Sequence, residues 1–394
     1  MTPAARVQTA IEILDEIIEA TKGDGAAADV ILKRAFKQRR YAGSKDRRAI
    51  REHVYDAIRR HGAPPQSGRA AMIGLAGDER RLREAFDGSD YGPQPIMDGE
   101  AGEPASNLPE WLRDRFDPAL NHGDILALSD RAPLDIRINR SKIGRDEALQ
   151  RLGSGEPGRL SDRAIRLPSG FPVEQHDLFH EGLIDIQDEG SQLVADAAGA
   201  ERGMTVVDLC AGAGGKTLAM HDRVEGRARF IACDTDRQRL RAFAPRAERT
   251  GIEDVETRLL NPGREREVLG DLRDTADLVL IDTPCSGTGT WRRNPEARWR
   301  LTPERIGRIA ALQAHILDYG ADLVRPGGHL LYAVCSLLHE EGEGQISAFL
   351  ARRSDFRKVE PAIDHGIVTA NGRLLSPARH GTDGFFFARL QRAC

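Results

Sequence analysis

Apolar positions recur along this chain at two different periods, and the change of period divides it. Near the start, Val7, Ile11, Leu14 and Ile18 fall on one face of a helix. Ile50, Val54, Ala57 and Ile58 repeat that spacing within residues 46–60, so residues 1–86 are expected to form an all-helical domain. Residues 134–140 (LDIRINR) alternate and predict a strand, a helix follows at 144–152, and strand-like pieces lie near 164–167 and 183–187. Together they predict a small α+β module over 108–185. From Ile186 onward the alternation of element types becomes regular. Helices are expected at 190–199, 216–223, 236–250, 303–324 and 340–352. Strands are expected at 204–210, 228–233, 254–259, 277–282, 329–334 and 384–391, with Pro326-Gly327-Gly328 closing the longest helix. Strands alternating with helices predict a Rossmann-like, doubly wound α/β sheet over 186–394. A last strand after the irregular stretch 361–383 adds one antiparallel insertion.

Composition changes this picture in three places. The 394 residues carry a net charge of −4, yet residues 31–60 hold eleven Lys and Arg against three Asp and Glu. That local excess marks a candidate surface for RNA. Residues 87–107 hold four Gly, three Pro and five acids with no Lys or Arg, and are expected to form a mobile acidic linker. No apolar run is long enough for a bilayer span, and Glu12, Asp15, Glu16 and Glu19 are wrong for a signal peptide, so a cytoplasmic monomer without membrane contact is expected. The five cysteines form no C-x-x-C pair. Free thiols and no metal site are expected.

The candidate chemistry lies at predicted strand ends. Residues 206–217 (VVDLCAGAGGKT) join a strand to a helix through a glycine-rich turn, where backbone can approach a ligand closely. The spacing from Gly212 to Gly215-Lys216-Thr217 is too short for a nucleoside triphosphate loop. Asp234 ends the next strand, a place suited to ribose hydroxyls. NAD and S-adenosylmethionine both fit so far. Cys285, just beyond Asp282, and Cys335, at the end of another strand, bring two thiols to the same edge. A thiolate adding to carbon 6 of a pyrimidine makes carbon 5 nucleophilic, which favours a methyl donor. Asp282 is placed to share a proton with the ring's N3 side. The chemistry alone does not rank the two cysteines.

Six segments in order, IQDEGSQ (186–192), VVDLCAGAGGKT (206–217), IDTPCSGTG (281–289), RRNPEARW (292–299), LYAVCSLLHEEGE (331–343) and GTDGFFFARL (381–390), resemble the RNA 5-methylcytosine methyltransferases. That group includes the bacterial 16S rRNA cytosine-C5 methyltransferase and the Nop2/Sun enzymes. The likeness covers residues 108–391, and RRYAGSKDRRAIREHVYDAIRR (39–60) is similar to a NusB-like RNA-binding domain. The resemblance implies S-adenosylmethionine as cofactor, rRNA as partner, Cys335 as nucleophile, Cys285 in product release, Asp282 holding the base, and Lys216 in the active site. It places cofactor contacts on Cys210, Ala211, Gly212, Ala213, Gly214, Gly215, Lys216, Asp234, Asn261 and Asp282. Ala213 stands where the family usually has proline, Val334 where it has threonine, and Asn261 where an aspartate is common. Trp291, Arg292, Arg293 and Arg298, beside the Cys285 loop, are expected to grip RNA. The competing readings are the same chemistry on tRNA, an assembly factor that has lost catalysis, and an exocyclic amino methyltransferase. Intact Cys285, Cys335, Asp282 and Lys216 oppose the second. The lack of an aromatic residue in the Asp-Thr-Pro-Cys turn opposes the third.

Overall fold

The computed structural model describes residues 1–23 and 25–394. The chain packs as two bodies. One holds Met1–Phe116, Ile125–Arg131 and Thr290–Pro303; the other holds Asp117–Asp124, Ala132–Gly289 and Glu304–Cys394.

The first body is helical: Pro3–Thr21, Ala28–Gln38, Ser44–Arg60, Gly68–Ala76 and Arg80–Glu84. The first helix starts where Thr2 Oγ1 accepts from Ala5 N and Pro3 has no N–H in need of an acceptor. Val7, Leu14, Ile50, Val54 and Ile58 are all buried in one core, as their spacing requires. The late segment 290–303 completes this body. Glu296 Oε1 accepts from Ala28 N at 3.0 Å, serving a helix whose own N-cap, Ala27, has no side-chain acceptor. At the opposite polarity, Arg300 donates to the carbonyl of Ala20 in the last turn of the first helix and to those of Gly23, Gly25 and Ala26 beyond it. Trp299 packs into the core and gives its indole N–H to His61 O at 2.7 Å.

Two expectations fail here. Trp291 and Arg298 do not present themselves to RNA, because both are buried. Arg298 donates to the carbonyls of Pro295, Asn107, Ile58 and Arg59 and to Ser129 Oγ. Residues 87–107 are no free linker either. Arg69 pairs with Glu100 at 2.6 Å and also reaches the carbonyls of Gln94 and Pro95, while Glu103 N donates to Ala70 O. Glycine and proline there specify turns whose exposed carbonyls one arginine collects.

The second body contains two sheets. The small one joins β1 (Leu134–Ile138), β2 (Glu156–Pro157), β3 (Ala164–Leu167) and β4 (Ile184–Ile186) in the antiparallel order β2-β3-β1-β4. The large one is built from β5 (Thr205–Asp208), β6 (Arg229–Asp234), β7 (Val255–Leu259), β8 (Ala276–Asp282), β9 (Val324–Val334), β10 (Phe356–Val359), β11 (Ile367–Val368), β12 (Arg373–Leu375) and β13 (Phe385–Arg392). Its order is β11-β12-β13-β9-β8-β5-β6-β7, with β10 also on β13. Strands β5 to β9 are parallel and β13 runs antiparallel to β9, the expected insertion. Val206, Val207, Leu278, Leu280 and Leu331 are buried in it. Such apolar runs belong to parallel strands covered on both faces.

Two elements depart from expectation. The helix expected at 236–250 is two helices, Arg237–Arg241 and Phe243–Thr250, parted at Ala242. Pro326-Gly327-Gly328 does not precede the strand but lies within β9. Ala276 faces Val324 and Leu278 faces His329, so the intervening residues bulge, with Gly327 at φ +76°. The connections leave β5 toward β6 on one side and return to β8 on the other, and a crevice forms at that reversal, beyond the strand ends. No described helix is long and apolar enough to cross a membrane.

Candidate active site

Parallel register brings the two thiols together. Asp282 at the end of β8 is opposite Ala333 in β9, so Cys285 and Cys335 leave neighbouring strands a few residues later. Their sulfurs are 3.2 Å apart. Both are partly exposed, and Gly289 N binds Cys335 O at 3.0 Å. Hydrogen bonding to Cys335 raises the Cys285 pKa well above the ordinary thiol value, and burial and the charges of Cys335 and Glu341 push the same way.

Lys216 lies in the first turn of the helix Gly215–Arg223. Its Nζ is 2.6 Å from Asp282 Oδ2 and 5.5 Å from the Phe385 ring centroid. Burial alone would lower its pKa, but Asp282, Cys335 and Asp208 together leave it above the usual lysine value. Lys216 is thus a held ammonium in a crevice that also carries a carboxylate and a thiol.

The glycine-rich turn is shaped by Asp234, which accepts from Gly212 N and from Asp236 N, each at 2.7 Å. Gly212 and Gly214 adopt φ of +56° and +80°, and a Cβ on Gly214 would strike the Phe243 ring. The cleft beside this turn has a volume of about 280 Å³ and is lined by Asp208, Cys210, Ala211, Gly215, Lys216 and Asp282, together with Gln187, Arg246 and Phe385. Ala213 O accepts from Arg246, and Ala213 leaves the turn intact. Asn261 is exposed just past β7 and, like Asp234, does not line the cleft. Val334 is buried opposite Phe386.

Several residues of this site carry no role that the sequence alone assigns. Asp208 ends β5, fully buried, with Oδ2 accepting from Thr217 and Oδ1 lacking a partner. Burial, then the charge of Asp282, pushes its pKa up to about 7 despite the Thr217 bond. Glu341 and the two serines that follow the cysteines lie inside the family motifs without a separate signal. Asp208 has one, its place at the end of the strand leading into the turn. Glu341 has none, because its partners are distant in sequence.

A turn whose Gly214 has no room for a Cβ, beside a cleft lined by the carboxylates of Asp208 and Asp282, suits a small cationic nucleoside ligand. A sheet of this order with that turn after its first parallel strand defines a class I methyltransferase, whose cofactor is S-adenosylmethionine. The 16S rRNA methyltransferase RsmB/F family model matches residues 198–391. Ribosomal RNA small subunit methyltransferase B of Shewanella oneidensis is 34% identical over 301 residues, 73% of this chain and 67% of that protein. The protein of that name from Xanthomonas campestris is 32% identical over 355 residues, 86% and 75% of the two chains. A methyltransferase homolog protein from Pyrococcus horikoshii shares the fold, with a TM-score of 0.60 and 26% identity, over 68% of this chain and 90% of its own. The chain belongs to the RsmB/F family and is an RNA methyltransferase.

Proposed function

We propose that this chain methylates carbon 5 of a cytosine in 16S rRNA through a covalent adduct between Cys335 and carbon 6 of the base. The observation that carries the reading is the Cys285–Cys335 pair, 3.2 Å apart, at the strand edge that holds the Lys216–Asp282 pair. The names of the relatives favour small-subunit rRNA over tRNA.

Cys335 attacks as the thiolate. Its Sγ forms a bond to carbon 6, the C5–C6 π bond breaks, and the electron pair moves toward N3. The proton held between Lys216 and Asp282 is shared with N3 and limits the charge there. Cys210, Ala211, Gly215, Asp208 and Asp282 would hold S-adenosylmethionine, which would supply the methyl group: the enamine pair forms the C5–CH3 bond as the sulfonium–methyl bond breaks and its electrons leave with the neutral thioether. Asp234 acts by fixing Gly212, and Gly212, Ala213 and Gly214 give the turn its shape. Release requires the carbon 5 proton to pass to water while the C6–S bond breaks and its electrons return to Cys335. The Cys285 thiol donates to that departing sulfur and makes expulsion easier.

The helical body supplies a second RNA-binding surface, consistent with a NusB-like role. Lys33, Lys37, Arg40 and Arg51 surround a depression of about 970 Å³ floored by Phe36 and Tyr55. Arg47 and Arg51 lie 6.0 and 5.8 Å from the Phe36 centroid. Basic and aromatic groups in one concavity suit a phosphate chain with an unstacked base.

The test uses RNA containing 5-fluorocytosine, whose fluorine cannot leave as a proton. Wild-type protein should form an adduct that survives denaturing gels, and Cys335→Ala should form none. Cys285→Ala should trap a complex even on ordinary cytosine RNA, and Cys285→Ala/Cys335→Ala should not. A complex trapped by Cys335→Ala but not by Cys285→Ala would exchange the two roles. Bisulfite sequencing of rRNA and tRNA from a deletion strain identifies the substrate.

A further inference from the structure

Glu341 is wholly buried, and it is surrounded by donors from both cysteine loops. Its Oε1 accepts from Ser286 N at 2.8 Å and from Gln313 Nε2 at 3.0 Å. Its Oε2 accepts from Ser336 Oγ at 2.5 Å and from Ser286 Oγ. Ser286 follows Cys285 and Ser336 follows Cys335. One carboxylate is thus bonded to the residue after each thiol. Gln313, from the helix Pro303–Ala321, also donates to Pro284 O at 3.0 Å, so the first loop is held on both sides of Cys285. Glu341 is itself anchored, since Tyr332 O–H donates to its carbonyl at 2.7 Å. Thr288 adds a further tie, with Oγ1 accepting from Leu337 N and lying 3.1 Å from Ser336 Oγ.

A buried carboxylate is tolerated only when its lone pairs are satisfied. Here the donors come from two loops that are also joined by Gly289 N to Cys335 O and by Thr288, but among these ties Glu341 alone bonds the residue after each thiol. We propose that Glu341 is a positioning residue that fixes the separation of Cys285 and Cys335, through Ser286 and Ser336, at the distance the thiol pair needs. It does not line the cleft beside the glycine-rich turn. Its carboxylate also lies on the Cys285 side of the pair, where its charge adds to the Cys335 bond and burial that raise the Cys285 pKa. The assignment rests on the two-cysteine reading of the site.

Glu341→Ala should remove the clamp while leaving the cleft beside residues 210–216 untouched. The expected result is a kcat lower by roughly 100-fold, the scale of a misplaced reacting group. The Kd values for RNA and for S-adenosylmethionine should change less than about twofold, while RNA adduct accumulates because release is slowed and the KM for RNA falls along with kcat. Glu341→Gln can place its oxygen toward Ser286 N and Gln313 while its amide donates to the two hydroxyls. It should restore most of kcat and shift the pH profile of the thiol step to lower pH. If Glu341→Ala does not fold, Ser286→Ala and Ser336→Ala carry the test, each expected to lower kcat with cofactor affinity unchanged. Wild-type kcat in folded Glu341→Ala, or in both serine variants, would overturn the assignment. So would a fall in kcat matched by an equal loss of cofactor affinity. Cys335→Ala is run beside them. If it retains activity, the two-cysteine reading itself has failed; if it is dead while Glu341→Ala is normal, only the clamp has.

Discussion

Two cations divide the molecule between chemistry and construction. Lys216 and Arg298 both lie in motifs that the family resemblance marks out; Lys216 is half-buried at the wall of the cleft and Arg298 is fully buried. Lys216 faces a carboxylate at 2.6 Å, which keeps its pKa high. Arg298 faces backbone carbonyls. Burial, helped by the nearby Arg59, lowers its pKa to about 10, with Glu296 only partly opposing. A cation held by a carboxylate in an open cleft can exchange its partner for a substrate atom. One held by carbonyls dipole by dipole has no such exchange to make. The partner, rather than the cation, distinguishes the two roles.

Substitution should separate them sharply. Lys216→Ala should lower kcat by roughly 10²–10³-fold, the scale for a lost electrostatic or proton-sharing group. Thermal unfolding should barely move. Arg298→Ala should do the reverse. It leaves several carbonyls without donors, so the helical body should lose about 3 kcal/mol in denaturant unfolding, with kcat near normal in the folded fraction. A catalytic defect in Arg298→Ala at full stability would return that residue to the RNA.

A smaller effect should come from Asp208. Its carboxyl titrates near pH 7 because burial and Asp282 disfavour its charge. A raised acid pKa means that the folded state holds the proton more tightly than the unfolded one. That proton stabilises the fold below about pH 4, and the benefit fades as pH rises through about 7. S-adenosylmethionine is cationic and should prefer the ionised form. Its affinity should therefore weaken by up to about tenfold per unit as pH falls below 7. Calorimetry across pH 5.5–8.5 (roughly the range flanking that pKa) measures this, and Asp208→Asn should abolish the dependence.

Smaller again, Arg40→Ala/Arg51→Ala should flatten the salt dependence of RNA binding by about 0.7–0.9 log units for each phosphate no longer neutralised. Arg39 and Arg48 are poorer choices, since they pair with Glu12 and Glu52. An unchanged slope would make the basic face of residues 31–60 a solvated surface only. Least of all, Glu296→Ala should cost about 1 kcal/mol, the usual scale for a lost helix cap.

The hydrophobic period reveals the parallel strands, and the strand ends then locate Cys285, Cys335, Asp282 and the turn at 211–215. These are local signals: a residue type at the end of an apolar run. Arg298 and Trp291 mislead because a charged and aromatic segment looks alike whether it binds a ligand or its own chain. Only burial tells the difference, and the carbonyl partners of Arg298 lie as far away as residues 58 and 107. The start of β9 is hidden because the pattern after the bulge at Pro326 itself reads as a strand start. Glu341 stays invisible for the same reason as Arg298, its meaning set by residues 286 and 313.

The return of residues 290–303 to the helical body also bears on how such a chain can be recombined. Its apparent N-terminal domain is not inheritable as one contiguous stretch. A gene exchange at residue 117 would transfer five helices but leave Glu296, Trp299 and Arg300 with the donor. Recipients would receive one helix start without its acceptor, a helix end without its arginine, and a vacancy where an indole belongs. Viable chimeras should therefore carry two crossovers on either side of 290–303, or arise where that segment already matches the incoming bundle. A synthetic peptide of those fourteen residues should raise the melting temperature of an isolated 1–116 fragment.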